Sequence, residues 1–250
     1  MDQFFLDTVL QTFTHILTGG FLHVHPWVMT MMTSMLTIML ILGYGLVAMH
    51  PTVEAIELAS AVTLRAMVLF AIANNWLTIT DGFLNSVVWL GMQIGNTTLS
   101  PAEFLSPGRV FYMGTVLSWN IFNILIDLDV GLWNEPIMGI AYTLAWLVLW
   151  ACFALMACYV LFAVIEFQLL SVYAFLMWPF MSVRMLAFLA EPLARKLLAS
   201  ALRISALGAL MSILVPFVIE IGIPGEDMTV QSAMSLAFGV IVLFIIIWHG

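Results

Sequence analysis

The sequence predicts an all-α membrane protein, a polytopic bundle of about five transmembrane helices with amphipathic helices at the interface. Three observations carry this. Of 250 residues, 64% are hydrophobic and only 8% charged, far from the quarter or so of charged residues usual in soluble domains. Mean hydropathy is +1.13, and several windows reach the roughly 20 apolar residues a membrane crossing needs. These runs show no alternation of period two, and a chain in lipid must satisfy its backbone internally, so helices are chosen over a closed barrel.

The positions of the cations orient the chain. There are six Lys and Arg in all, and Arg184, Arg195, Lys196 and Arg203 fall close together. Basic loops are retained on the cytoplasmic side, which places this stretch there. The net charge of −8 leaves no basic stripe suited to nucleic acid.

The N-terminus reads MDQFFLD, with Asp2 and Asp7 where a signal peptide would carry positive charge, so the first segment is expected to remain. Residues 1–26 are assigned to a periplasmic amphipathic region. In it Leu6, Val9, Leu10, Phe13 and Leu17 share one face of a short helix that Gly19 and Gly20 would end. Residues 27–77 hold the first two crossings. The uncharged run 27–49 is crossing one, and Pro51 separates it from crossing two at about 54–76. Arg65 lies inside that second crossing, an expensive position. It either snorkels towards Glu54 and Glu57 or faces a pore or a neighbouring subunit.

Residues 78–135 lack a clean span and are acidic, which fits a periplasmic helical region lying on the membrane or on itself. Phe83, Val87, Leu90 and Ile94 line one face of a first helix. Ser100, Pro101 and Glu103 carry the signature of a short helix start. In a further helix Asn120, Asn123 and Asp127 form a polar stripe.

Residues 136–250 hold the remaining crossings. A crossing over about 137–165 is followed by a re-entrant piece ending near Pro179, because an odd number of crossings must join a periplasmic region to a cytoplasmic basic cluster. Glu166 then falls near a membrane boundary. Residues 191–203 form a basic amphipathic helix with Pro192 in its first turn and Glu191 paired to Arg195 at i,i+4. Its Leu193, Leu197, Leu198 and Leu202 suit the acyl boundary, while Arg195, Lys196 and Arg203 meet phospholipid headgroups. Crossings at about 204–221 and 230–248 follow, with Glu220 near the end of the first. Five crossings put the N-terminus in the periplasm and the C-terminus in the cytoplasm. Trp27, Trp76, Trp133 and Trp248 then fall at membrane boundaries.

The residues offer little chemistry. His15, His23 and His25 form the one metal-like grouping, with no Cys or carboxylate to complete it, and no metal or cofactor is expected. Cys152 and Cys158 lie within an apolar helix and read as packing residues. No catalytic motif is present, so an enzyme is not expected.

The segments GGFLHVHPWV, NNWLTITDGFLNSVVWLGMQIG, LSPAEFLSPGRVFYMG, IEFQLLSVYAFLMWPF and RMLAFLAEPLARKLLASALRISALGALMSILV together resemble the TrbL family. These are polytopic inner-membrane subunits of conjugative type IV secretion systems. The resemblance implies a channel or assembly subunit in the bacterial inner membrane, forming an oligomeric ring, as a homopentamer, beneath the periplasmic stalk. It implies support for mating-pair formation and pilus assembly, contact with other inner-membrane subunits, and transient contact with transferred DNA and protein. Asn120, Asn123 and Asp127 would then face the stalk. The alternative is a secondary transporter or proton-coupled permease using Arg65, Glu166 or Glu220, although the two halves show no repeat.

Overall fold

The computed structural model describes residues 5–49, 53–95, 100–127, 136–183 and 186–222, with isolated residues between 235 and 245. The described elements are seven α-helices and two short 3-10 turns, Gln93–Gly95 and Trp178–Ser182, and no strand occurs among them. The helices are α1 (Phe5–Met49), α2 (Val53–Asn74), α3 (Trp76–Met92), α4 (Pro101–Phe104), α5 (Pro107–Asp127), α6 (Pro136–Met177) and α7 (Ala187–Gly222).

Among the described residues, Phe5–Met49, Thr143–Ser182 and Ala187–Leu214 are long and apolar enough to cross a membrane. The pair Ala59–Asn74 and Trp76–Gly95 qualifies jointly, bent by 79° at its break. The last expected crossing, at 230–248, lies for the most part outside the described residues, as do Arg184, Trp133 and Trp248.

Three expected boundaries move. The helix expected to stop at Gly19 and Gly20 continues without interruption to Met49, through Pro26. Each glycine costs about 1 kcal/mol against alanine, too little to end a helix whose apolar residues continue on both sides. The polar run that follows is also satisfied within the helix. Thr30, Thr33, Ser34 and Thr37 donate to the carbonyls of Pro26, Met29, Thr30 and Thr33 at 2.7–2.9 Å. In lipid such a local bond removes the cost of an unpaired hydroxyl.

Likewise, the expected change near Glu166 does not occur. α6 is one helix of 42 residues ended by the 3-10 turn Trp178–Ser182. At 1.5 Å per residue it is about 63 Å long, twice a typical hydrocarbon core of ~30 Å. The basic segment, too, is no separate helix. α7 starts at Ala187, a turn before Pro192, and continues past Arg203 to Gly222.

Between α2 and α3 the chain turns at Asn75. Its amide nitrogen Nδ2 donates to the Ala71 carbonyl at 3.0 Å, and its backbone N–H bonds to Ala71 and Ile72 at 3.3 and 3.2 Å. Its own carbonyl accepts from Ile79 at 3.0 Å. One residue thus closes α2 and opens α3.

The chain divides into two compact units. One comprises residues 12–84 and 165–201. Its core is aromatic: Phe175, fully buried, lies 4.6 Å from Phe21 and 5.7 Å from Trp76 between ring centroids. The His25 ring stacks on Phe175 at 5.5 Å, whereas His15 and His23 are exposed. Trp76, expected at a membrane boundary, is a core residue whose indole N–H donates to the Ser171 carbonyl and hydroxyl at 3.2 and 3.1 Å.

The other unit comprises residues 1–11, 85–164 and 202–250. Its short α4 begins as expected. Ser100 and Glu103 form a reciprocal capping box, with Pro101 at the first helical position. The Ser100 backbone and hydroxyl, with Arg109 behind them, hold the Glu103 carboxyl below its ordinary pKa. The next helix, α5, is capped from a distance: Asp7 Oδ1 accepts from Ser106 Oγ at 2.9 Å and from the Gly108 N–H at 2.8 Å. A carboxylate at a helix start satisfies orphan donors and suits the helix dipole. Cys152 is buried and Cys158 partly so, both as free thiols.

On α3 the expected apolar face turns outward. Leu90 and Ile94 are exposed, and Leu84, Val88 and Met92 form the buried side.

Candidate functional site

The basic face of α7 is built by helical spacing. Arg195 donates to Glu191 Oε1 at 2.8 Å, one turn earlier, as its position predicts, and both side chains are largely exposed. Such a pair contributes a few tenths of a kcal/mol, so it orders the guanidinium without burying it. Lys196 is exposed beside it. On the same segment Ala194, Leu197 and Leu198 line an apolar cavity of about 200 Å³ together with Trp76, Phe83 and Trp178. Cations at the surface and an apolar hollow one residue away form an amphiphilic edge.

Arg203 meets a partner that sequence spacing does not reveal. Its guanidinium lies 5.0 Å from the centroid of the Tyr159 ring and donates to the phenol oxygen. The two residues are 44 positions apart, and only the packing of α6 beside α7 joins them.

Arg65 makes a contact that neither expectation named. Its Nη2 donates to the Met181 carbonyl at 2.7 Å, within the 3-10 turn after α6. Nearby, Trp178 Nε1 donates to the Leu69 carbonyl at 3.1 Å. A carbonyl where a helix ends, such as that of Met181, lacks an intrahelical donor, and lipid offers none; the Leu69 carbonyl, inside α2, takes the indole N–H as a second donor. Arg65 and Trp178 therefore tie α2 to the end of α6.

The remaining candidates are spread out. Glu166 is exposed on the body of α6. On α5 the Asn123 side chain is partly buried, whereas the side chains of Asn120 and Asp127 lie outside those described, as does that of Glu220 on α7.

A seam that sequence reasoning passed over lies between α3 and α7. Gly91 and Gly95 form a GxxxG spacing. A Cβ on Gly91 would stand 2.2 Å from the Ser205 carbonyl oxygen, and one on Gly95 would stand 2.3 Å from the Ser212 carbonyl carbon. Ser205 Oγ donates across the seam to the Val87 carbonyl at 2.8 Å. Small residues that let backbones approach are a recurrent helix contact in membranes. The string GMQIG was the signal available.

A family model described as TrbL/VirB6 plasmid conjugal transfer protein matches residues 36–250. The chain belongs to the TrbL/VirB6 family. With its long apolar helices, it is a membrane-embedded subunit of conjugal transfer, that is, of type IV secretion. A comparison with curated proteins found no match. The TrbL/VirB6 match takes in Arg65, the glycine seam, Tyr159 and the whole basic face, while Asp7 and residues 5–35 of α1 precede it.

Proposed function

We propose that this TrbL/VirB6 protein is an inner-membrane channel and assembly subunit, forming a homopentameric ring beneath the periplasmic stalk and supporting pilus assembly and transfer of DNA and protein. The family match across residues 36–250 carries this reading. Long helices suit it: α1, with 45 residues, exceeds what a hydrocarbon core of ~30 Å requires and leaves helical surface for other subunits. In this reading the N-terminus is periplasmic, the C-terminus cytoplasmic, and α5 with Asn120, Asn123 and Asp127 faces the stalk. Deleting the coding sequence in a donor strain is expected to abolish mating, with restoration by the intact chain. Native mass spectrometry of the solubilised protein is expected to give five copies. Normal mating in the deletion strain, or a monomer alone, would sink the corresponding part.

The basic face of α7 is assigned to phospholipid headgroups, Arg195, Lys196 and Arg203 being the contacts. Its support is the exposed pair beside the apolar cavity lined by Ala194, Leu197 and Leu198. Replacing all three cations by Gln is expected to reduce phosphatidylglycerol retained through purification several-fold. Each cation near an anionic surface contributes about 1 kcal/mol. Unchanged retention would remove the assignment.

A further inference from the structure

A second cavity, of about 160 Å³, lies in the unit formed by residues 12–84 and 165–201, and its chemistry is the opposite of the basic face. Its polar lining comes from Thr14, Thr18, Thr80, Asp81, Gln168 and Ser171. The pairs are set by helical spacing: Thr14 and Thr18 are one turn apart on α1, Thr80 and Asp81 follow the Asn75 turn on α3, and Gln168 and Ser171 share a face of α6.

The threonine hydrogens of this lining are already committed. Thr14 Oγ1 donates to Gln168 Oε1 at 3.1 Å and Thr18 Oγ1 to the Thr14 carbonyl at 2.8 Å. Thr80 Oγ1 donates to the carbonyls of Trp76 and Leu77 at 2.9 and 3.1 Å. Each hydroxyl has one hydrogen and two lone pairs, so all three threonines keep acceptor capacity. Asp81, exposed at the mouth of the cavity and an acceptor only when ionised, makes no hydrogen bond or ion pair among the described residues.

An acceptor-rich hollow with one unmatched carboxylate calls for a cation that carries N–H donors. We propose that this cavity receives a primary ammonium group, with Asp81 as counter-ion and the Thr14, Thr18 and Thr80 hydroxyls and the Gln168 amide oxygen as further acceptors. Three N–H donors diverging from one nitrogen can reach a carboxylate and two neutral oxygens together. A quaternary ammonium has no such donor. A bare metal ion fits the space poorly, since a water's share of liquid is ~30 Å³ and the cavity is several times larger. An ethanolamine-sized group fits within it. In a membrane protein such a group arrives on the headgroup of phosphatidylethanolamine or as the free amine.

The site does not rest on the role in conjugation and is tested on the intact purified protein. In nanodiscs of mixed phosphatidylethanolamine and phosphatidylcholine, native mass spectrometry is expected to show at least tenfold preferential retention of the ethanolamine lipid. Asp81→Asn is expected to lose that preference, while Thr14→Val reduces it partly and reports on the neutral acceptors. In nanodiscs of phosphatidylcholine alone, free ethanolamine is expected to perturb the fluorescence of Trp76, which is bonded to Ser171 in the cavity wall. Response to the free amine without lipid preference assigns the free source and upholds the ammonium site. Equal retention of the two lipids together with no response to ethanolamine overturns the proposal. So does an Asp81→Asn protein that folds, by its melting temperature, and keeps the wild-type preference, and so does saturation of the response by sodium chloride alone.

Discussion

Gly91→Ala is expected to be strongly damaging for a single added methyl group. The added Cβ would meet the backbone oxygen of Ser205 at 2.2 Å and the Ser205 Oγ at 2.7 Å. A side chain can rotate away from such a contact, but a helical carbonyl can move only with its helix. Overpacking of a core costs typically 1–3 kcal/mol and occasionally more, and here the bond from Ser205 to the Val87 carbonyl would be strained as well. The variant is expected to accumulate poorly in membranes, melt several degrees lower in detergent, and fail to restore mating. Gly82→Ala is the control, because nothing lies within 4 Å of the position its Cβ would take. That change removes glycine's helix penalty of about 1 kcal/mol and is expected to be neutral or stabilising. Equal melting temperatures for the two variants would show that the α3–α7 seam is not close-packed.

Phe175→Ala is expected to have a comparable effect on the other unit. Phe175 is fully buried and is the ring that Phe21, His25 and Trp76 all touch. Truncating a buried Phe costs about 3–5 kcal/mol in soluble hosts, part of it from the cavity left behind. In a bilayer the transfer component shrinks because lipid is itself apolar, and the packing component remains. Thermal unfolding read by tryptophan fluorescence should show the loss together with a changed Trp76 environment. Phe175→Leu is expected to recover much of the stability. A Phe175→Ala protein with the wild-type melting temperature would contradict the aromatic core.

What the sequence revealed about this fold follows from range. The capping box of Ser100 and Glu103 and the ion pair of Glu191 and Arg195 are separated by three and four residues, so helical geometry alone places them. The helical, membrane-spanning character was legible because composition is a sum over the whole chain. Boundaries were not, since Gly19, Gly20 and Pro26 disfavour a helix locally and Glu166 puts a charge into an apolar run, yet all four sit in helices that continue on both sides. Contacts such as Arg65 with Met181 and Arg203 with Tyr159, 116 and 44 residues apart, depend on which helix lies beside which. The cavity around Asp81 shares that property, since its walls come from three helices far apart in the chain.

The turn at Asn75 sets how rigid the chain is where it changes direction. In water, a 79° elbow between two helices would be a swivel, because solvent exchanges freely with the carbonyls that the bend exposes. Where lipid replaces water, no solvent is present to make that exchange. The Ala71 and Ile72 carbonyls are answered by Asn75 itself, and Trp76 is bolted to Ser171 immediately afterwards. The elbow is therefore a fixed bracket, transmitting displacement from α2 to α3 as a carpenter's square would, and a single carboxamide supplies its weld.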